Sequence, residues 1–160
     1  MSRHKPFETN YAGAIYGTIL SMSVVTTVSK DPELGAVAIA GWTAATAFVF
    51  FLAHAYADIV AAGFARPREA KTVAREAMRK EWPLVQGSLI PAAAMLLAPI
   101  GLVSEDTATY VAVLTGVVVL FVAGISIGTR QKLRWSRRLM IGAINAAIGF
   151  LIVALKIFVH

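Results

Sequence analysis

Long apolar segments alternate with short polar ones along almost the whole chain, and this pattern limits the fold more than any other feature. A helix that crosses a bilayer needs about 20 mostly apolar residues. Five segments reach or approach that length, namely 11–28, 35–64, 83–103, 109–129 and 139–159. Only 15% of the residues are charged, against about 25% in an ordinary soluble domain. The sequence therefore predicts an all-α integral membrane protein with five transmembrane helices.

The basic residues occupy alternate polar gaps between these segments. All 15 lysines and arginines except Lys30 and Lys156 lie in the N-terminal tail, in the segment 65–82 or in the gap that follows 129. The other two gaps are acidic and contain Asp31, Glu33, Glu105 and Asp106. Because lysine and arginine mark the cytoplasmic side, we expect a plasma (inner) membrane protein with its N-terminus inside and its C-terminus outside. The net charge of +6 is then a topology signal, and nucleic acid is not an expected partner.

The segment 65–82 combines many basic residues with an apolar stripe at helical spacing. This pattern predicts a short amphipathic helix that lies on the inner membrane surface or extends the second span. Basic groups beside a membrane attract anionic lipid headgroups. The residues predicted to make such contacts are Arg66, Arg68, Lys71, Arg130, Arg134, Arg137 and Arg138.

His54 and Asp58 lie one helical turn apart inside the second span. Ionisable residues within a span are costly and usually have a function. One interpretation is a pair that handles protons or cations and could hold a divalent metal ion. The other is structural, with Asp58 reaching headgroups or an arginine such as Arg66 while His54 makes an interhelical hydrogen bond. Gln86 and Asn145 fall at a similar depth, so the four polar residues form a candidate transport path.

Small residues at spacings of four favour close helix packing in lipid. Gly13 and Gly17 have this spacing in the first span, and Gly124 and Gly128 have it in the fourth. We expect them to hold a tight bundle, with a homodimer or a larger membrane complex as the assembly. No catalytic constellation can be built from the sequence and the chain has no cysteine, so an enzyme is not expected.

Three stretches carry a resemblance to a known family. LFVAGISIGTRQKLRWSRRLMIGAINAAIGFLIV, GSLIPAAAMLLAPIGL and AHAYAD resemble the last two helices, the proline-bearing third helix and a second-helix motif of the vacuolar iron transporter family. The resemblance implies a five-helix bundle and a dimer. The metal-path acids of that family are missing, because IYGTILSMS has no acid and Ala55 stands at the family's glutamate position. The insert after the second span is also short and basic.

Two classes of function follow from these observations. The leading hypothesis is transport of a small cation or a proton-coupled solute, with His54 and Asp58 as its central groups. The alternative is a non-transporting accessory subunit of a larger membrane complex. A transporter requires a water-accessible polar path that contains His54, whereas an accessory subunit is expected to have an apolar and well-packed interior.

Overall fold

The computed structural model describes residues 11–62 and 67–158, which form five α-helices. They are α1 (Tyr11–Val28), α2 (Ala36–Ala62), α3 (Pro67–Met95), α4 (Glu105–Arg130) and α5 (Trp135–Phe158). Four of them, α1, α2, α4 and α5, are long and apolar enough to cross a membrane. The all-helical class is thus confirmed, together with four candidate membrane spans.

The third helix differs most from the predicted boundaries. The amphipathic segment expected at 65–82 and the span expected at 83–103 are largely one continuous helix, Pro67–Met95, followed by turns over 96–103. Pro99 and the positive φ of Gly101 (78°) suit these turns and not a helix. The apolar part of α3, from Pro83 to Met95, is about 20 Å long, shorter than the roughly 30 Å hydrocarbon core of a bilayer.

The first helix is the centre of the bundle, because it packs against each of the other four. Its hydroxyl-rich sequence fits this position, since Thr18, Ser21 and Thr26 are buried. A hydroxyl can donate to the carbonyl of its own or a neighbouring helix, and so needs no water. Ser21 Oγ donates to Ser88 O of α3 at 2.9 Å. The least apolar of the four candidate spans is therefore the helix that contacts each of the other four.

The α1–α3 crossing also accommodates a proline within a helix. Pro91 has no N–H, so it cannot donate to the carbonyl of Gly87 one turn earlier. Thr18 Oγ1 lies 3.2 Å from that oxygen and donates to it, sharing its proton with Ala14 O at 2.9 Å. The carbonyl that Pro91 leaves without a helical partner is thus hydrogen-bonded by the neighbouring helix.

The two ends of the bundle have opposite chemical character. At one end the α4 residue Glu105 accepts a 3.1 Å hydrogen bond from the backbone N–H of Ala36 and so caps α2. At the other end Arg130 lies over the Tyr11 ring, 5.0 Å from its centroid. The basic end is this second end of the bundle, with the described basic residues of α3, of the end of α4, of the following loop and of the start of α5.

Candidate functional site at the basic end

His54 lies on the outer surface of α2 and is exposed. Its Nδ1 is 2.9 Å from the carbonyl oxygen of Phe50, one turn earlier in the same helix. The ring also packs against Tyr16 of α1, with 5.4 Å between the ring centroids. One ring nitrogen is therefore used inside the helix, and the side chain faces the surroundings of the bundle instead of its interior.

Asp58, one turn further along α2, is paired with a cation. Its Oδ2 accepts a hydrogen bond from Lys80 Nζ of α3 at 2.6 Å, and Lys80 also lies 3.5 Å from Glu81 Oε1. The hydrogen bond to Asp58 raises the pKa of Lys80 above its usual value, because the carboxylate stabilises the charged ammonium. A carboxylate bound to an ammonium in this way is not a free metal ligand.

The structure does not bring the four predicted path residues into one cluster. Gln86 is exposed on α3, and Asn145 is half-buried on α5. Asn145 lies against α4, where a methyl group added at Gly124 would be 2.7 Å from its Nδ2. In contrast, His54 and Asp58 lie on α2, which packs against α1 and α3. Within 11–62 and 67–158, no group of three or more histidine, cysteine or acidic side chains could hold a metal ion.

The predicted packing glycines lie at contacts between helices of the same chain. Gly13 is buried, and Gly17 faces Leu84 and Ser88 of α3. On α4, a methyl group added at Gly124 would be 2.7 Å from the Gly142 Cα of α5, and one added at Gly128 would be 3.0 Å from the Arg138 Cα. Gly17, Gly124 and Gly128 are thus occupied within the protomer and are not a surface for a second copy.

The predicted lipid contacts divide into exposed residues and residues with structural roles. Lys71, Arg134 and Arg137 are exposed. Arg138 is half-buried, and its Nε donates to Leu133 O at 2.7 Å. Arg66 and the side chain of Arg68 lie outside the described residues.

Glu81 is a charged residue that the sequence did not single out, although it is only 6% exposed. Buried acids are rare unless they are paired, so its burial beside Lys80 marks the α2–α3 contact as a local charge cluster. In the sequence, Glu81 belongs to the basic segment 65–82, which was expected to be solvated. Because α3 continues through Pro83, Glu81 lies directly before the packed, apolar part of the helix.

Comparison with known proteins identifies no relative of this chain. No family model matches the chain, and neither a curated protein nor a solved structure matches it.

The Asp58–Lys80 pair gives a prediction with a defined pH dependence. We expect Asp58→Asn to lower the free energy of unfolding by no more than about 1 kcal/mol at neutral pH, because the Asp58–Lys80 pair is partly exposed to solvent. The raised pKa means that this stabilisation is complete below the ordinary lysine pKa of 10.5 and is lost as the pH rises beyond it.

The measurement is chemical unfolding in detergent micelles between pH 7 and pH 11, followed by far-ultraviolet circular dichroism. Lys80→Met should cost more than Asp58→Asn, because it also removes a cation beside the buried Glu81. The double variant should cost little more than Lys80→Met alone. Losses that simply add would show that the two side chains do not act as a pair.

Proposed function

We propose that this protein is a non-transporting accessory protein of a plasma (inner) membrane, with its basic end on the cytoplasmic side. It would cross the membrane five times, and the apolar end of α3 together with the apolar turns over 96–103 would form the crossing that α3 alone is too short to make. The orientation rests on the positive-inside rule, which places lysine and arginine in the cytoplasm. The accessory role rests on the interior of the bundle. Both the resemblance to vacuolar iron transporters and an assembly beyond the single chain remain predictions from the sequence.

The observation that carries the proposal is the apolar cluster of buried side chains at the centre of the bundle. Met22 of α1 is fully buried, and Met95 of α3 and Leu120 of α4 are 0% exposed in the same cluster. A transport path needs polar groups that water can reach. In the described part of the chain, no buried side-chain nitrogen or oxygen lacks a hydrogen-bond partner. Thr18 and Ser21 of α1 donate to carbonyls of α3. The hydroxyls of Ser23 and Thr26 donate to carbonyls of α1 itself.

The ionisable groups of α2 also support a non-transporting role. His54 is exposed on the outside of the helix, and Asp58 is held by Lys80. Neither points to a route through the bundle. A histidine on the outer surface of a spanning helix is, however, a hydrogen-bonding group that another membrane protein could use, because polar side chains join helices in lipid.

The proposal is tested first by flux measurements in proteoliposomes, with a pH-sensitive dye and a panel of divalent cations. We expect the wild-type protein to give the same flux as protein-free liposomes, and His54→Ala to change nothing. Tyr56→Phe, a neighbouring exposed position on α2, is the matched control. Flux that the wild type supports and His54→Ala abolishes would instead establish the transport alternative.

A second experiment tests the accessory role directly. A photo-crosslinking amino acid is placed at position 54 in native membranes, and the same group is placed at position 140, an exposed position of α5, as a control. We expect a discrete protein adduct from position 54 and none from position 140. If position 54 gives only lipid adducts, the accessory role is contradicted whatever the flux assay shows.

A further inference from the structure

A groove opens between the outer face of α2 and the charged half of α3. It has a volume of about 870 Å³, within the usual range of ligand pockets. Its lining residues are Phe48, Phe51, Lys71, Ala74, Arg75, Met78, Arg79 and Trp82. No acidic residue is among them. Because α3 is a single helix from Pro67 to Met95, the helix that lines the groove is also the one that packs against α1.

Two parallel rows of side chains on α3 give the groove its character. Ala74, Met78 and Trp82 are spaced by four residues and form an apolar row. Lys71, Arg75 and Arg79 have the same spacing and form a basic row beside it. Residues four apart lie on one face of a helix, so the two rows run side by side along the groove.

The apolar floor is large and uncovered in the protomer. Phe48, Met78 and Trp82 are 49%, 48% and 47% exposed. Trp82 packs edge-on against Phe51, with 5.7 Å between the ring centroids, so the floor is continuous from α2 to α3. Tryptophan favours the boundary between headgroups and hydrocarbon, the depth at which a lipid has its glycerol and the start of its acyl chains.

We propose that this groove binds one anionic phospholipid, with the phosphate on Lys71 and Arg75 and an acyl chain along Phe48, Met78 and Trp82. The proposal rests on charge complementarity, since three cations line a site whose floor is apolar. Arginine forms paired hydrogen bonds with phosphate oxygens, and lysine adds a point charge. This site is more specific than the general attraction of a basic surface to a membrane, and it does not depend on the accessory role.

The test uses the tryptophans as depth and contact reporters. One protein retains only Trp82 (Trp42→Phe with Trp135→Phe), and another retains only Trp135 (Trp42→Phe with Trp82→Phe). Each is reconstituted in phosphatidylcholine that contains a small fraction of brominated phosphatidylglycerol or the same fraction of brominated phosphatidylcholine. Bromine quenches tryptophan fluorescence at contact, so the ratio of the two quenching efficiencies measures lipid preference at each tryptophan.

We expect Trp82 to be quenched about fivefold more efficiently by the anionic lipid, and Lys71→Gln with Arg75→Gln to bring the ratio close to one. Arg134→Gln with Arg137→Gln removes the same charge elsewhere on the basic end and should leave the Trp82 ratio unchanged. Arg75→Lys keeps the charge and loses the paired hydrogen bonds to phosphate, so the Trp82 ratio should fall only part of the way. Exposed substitutions of this kind preserve folding, which the circular dichroism spectrum verifies.

Two results would overturn the proposal. Equal quenching of Trp82 by the two brominated lipids would show that the groove has no anionic preference and that another occupant must be sought. A Trp82 ratio that falls equally with either double variant, or that equals the Trp135 ratio throughout, would reduce the effect to general attraction by the basic end.

Discussion

Gly17→Ala is expected to lower the free energy of unfolding by about 2–4 kcal/mol, a loss typical of overpacking combined with broken interhelical hydrogen bonds. A methyl group at this position would overlap the Leu84 carbonyl oxygen and lie 2.8 Å from Ser88 Oγ. The first of these atoms is backbone and cannot rotate away, so α1 and α3 would have to separate. Separation would break the 2.8 Å hydrogen bond from Ser88 Oγ to Gly17 O.

Gly41→Ala is the matched control for this substitution. Gly41 lies in α2, and a methyl group there would have no heavy atom within 4 Å. Since alanine favours a helix over glycine by about 1 kcal/mol, this variant should be neutral or slightly more stable. Unfolding by sodium dodecyl sulfate in mixed micelles, followed by circular dichroism, measures both. If the two variants have the same stability, the α1–α3 crossing does not depend on close backbone approach.

The close contact between α1 and α3 also involves a glycine of α3. A methyl group at Gly87 of α3 would overlap the Ala14 carbonyl oxygen of α1, so each helix presents a glycine to the backbone of the other. The hydroxyls of Thr18 and Ser88 use the same close approach to reach carbonyls across the crossing. Small residues and hydroxyls are thus two parts of one contact, because the short interhelical distance allows both.

The sequence predicted the helical class because apolar length is a strong and local signal. The boundaries of α1, predicted as 11–28, agree with Tyr11–Val28, where polar residues follow directly. The third helix was harder to predict. Charged residues up to Glu81 and the proline at position 83 suggested a break, yet Pro83 lies within α3. Whether a helix continues through a proline depends on its neighbours in the fold, and a single sequence does not contain that information.

The candidate site was less predictable than the fold for a related reason. The sequence showed that His54 and Asp58 share one face of a helix, and both lie in α2 as expected. Which way that face points depends on how α2 packs, and the structure places His54 on the outside. The partner of Asp58 is Lys80, 22 residues away. That pairing depends on the register of α2 against α3, whereas sequence reasoning had considered Arg66.

Met22→Ala is expected to cost about 2–5 kcal/mol, the usual range for truncating a fully buried methionine. Met22 is 0% exposed and lies in the cluster shared by α1, α2, α3 and α4. Its side chain also fills the space left by a glycine of α4, since a methyl group added at Gly116 would be 2.5 Å from both Met22 Cγ and Sδ. Removing the methionine leaves a cavity that the surrounding helices can close only in part.

The same contact predicts how two substitutions combine. Gly116→Ala should destabilise the wild type because its methyl group meets the Met22 side chain. In the Met22→Ala background that clash is absent, and the new methyl group fills part of the cavity. The double variant should therefore be more stable than the sum of the two single effects predicts, by about 1–3 kcal/mol. Met140→Ala is the control, because Met140 is 56% exposed on α5 and its truncation leaves no cavity. Strictly additive effects of the two substitutions in the same unfolding assay would show that Met22 does not pack against Gly116. The accessory function would then lose its main support, because it rests on the packed apolar centre of the bundle.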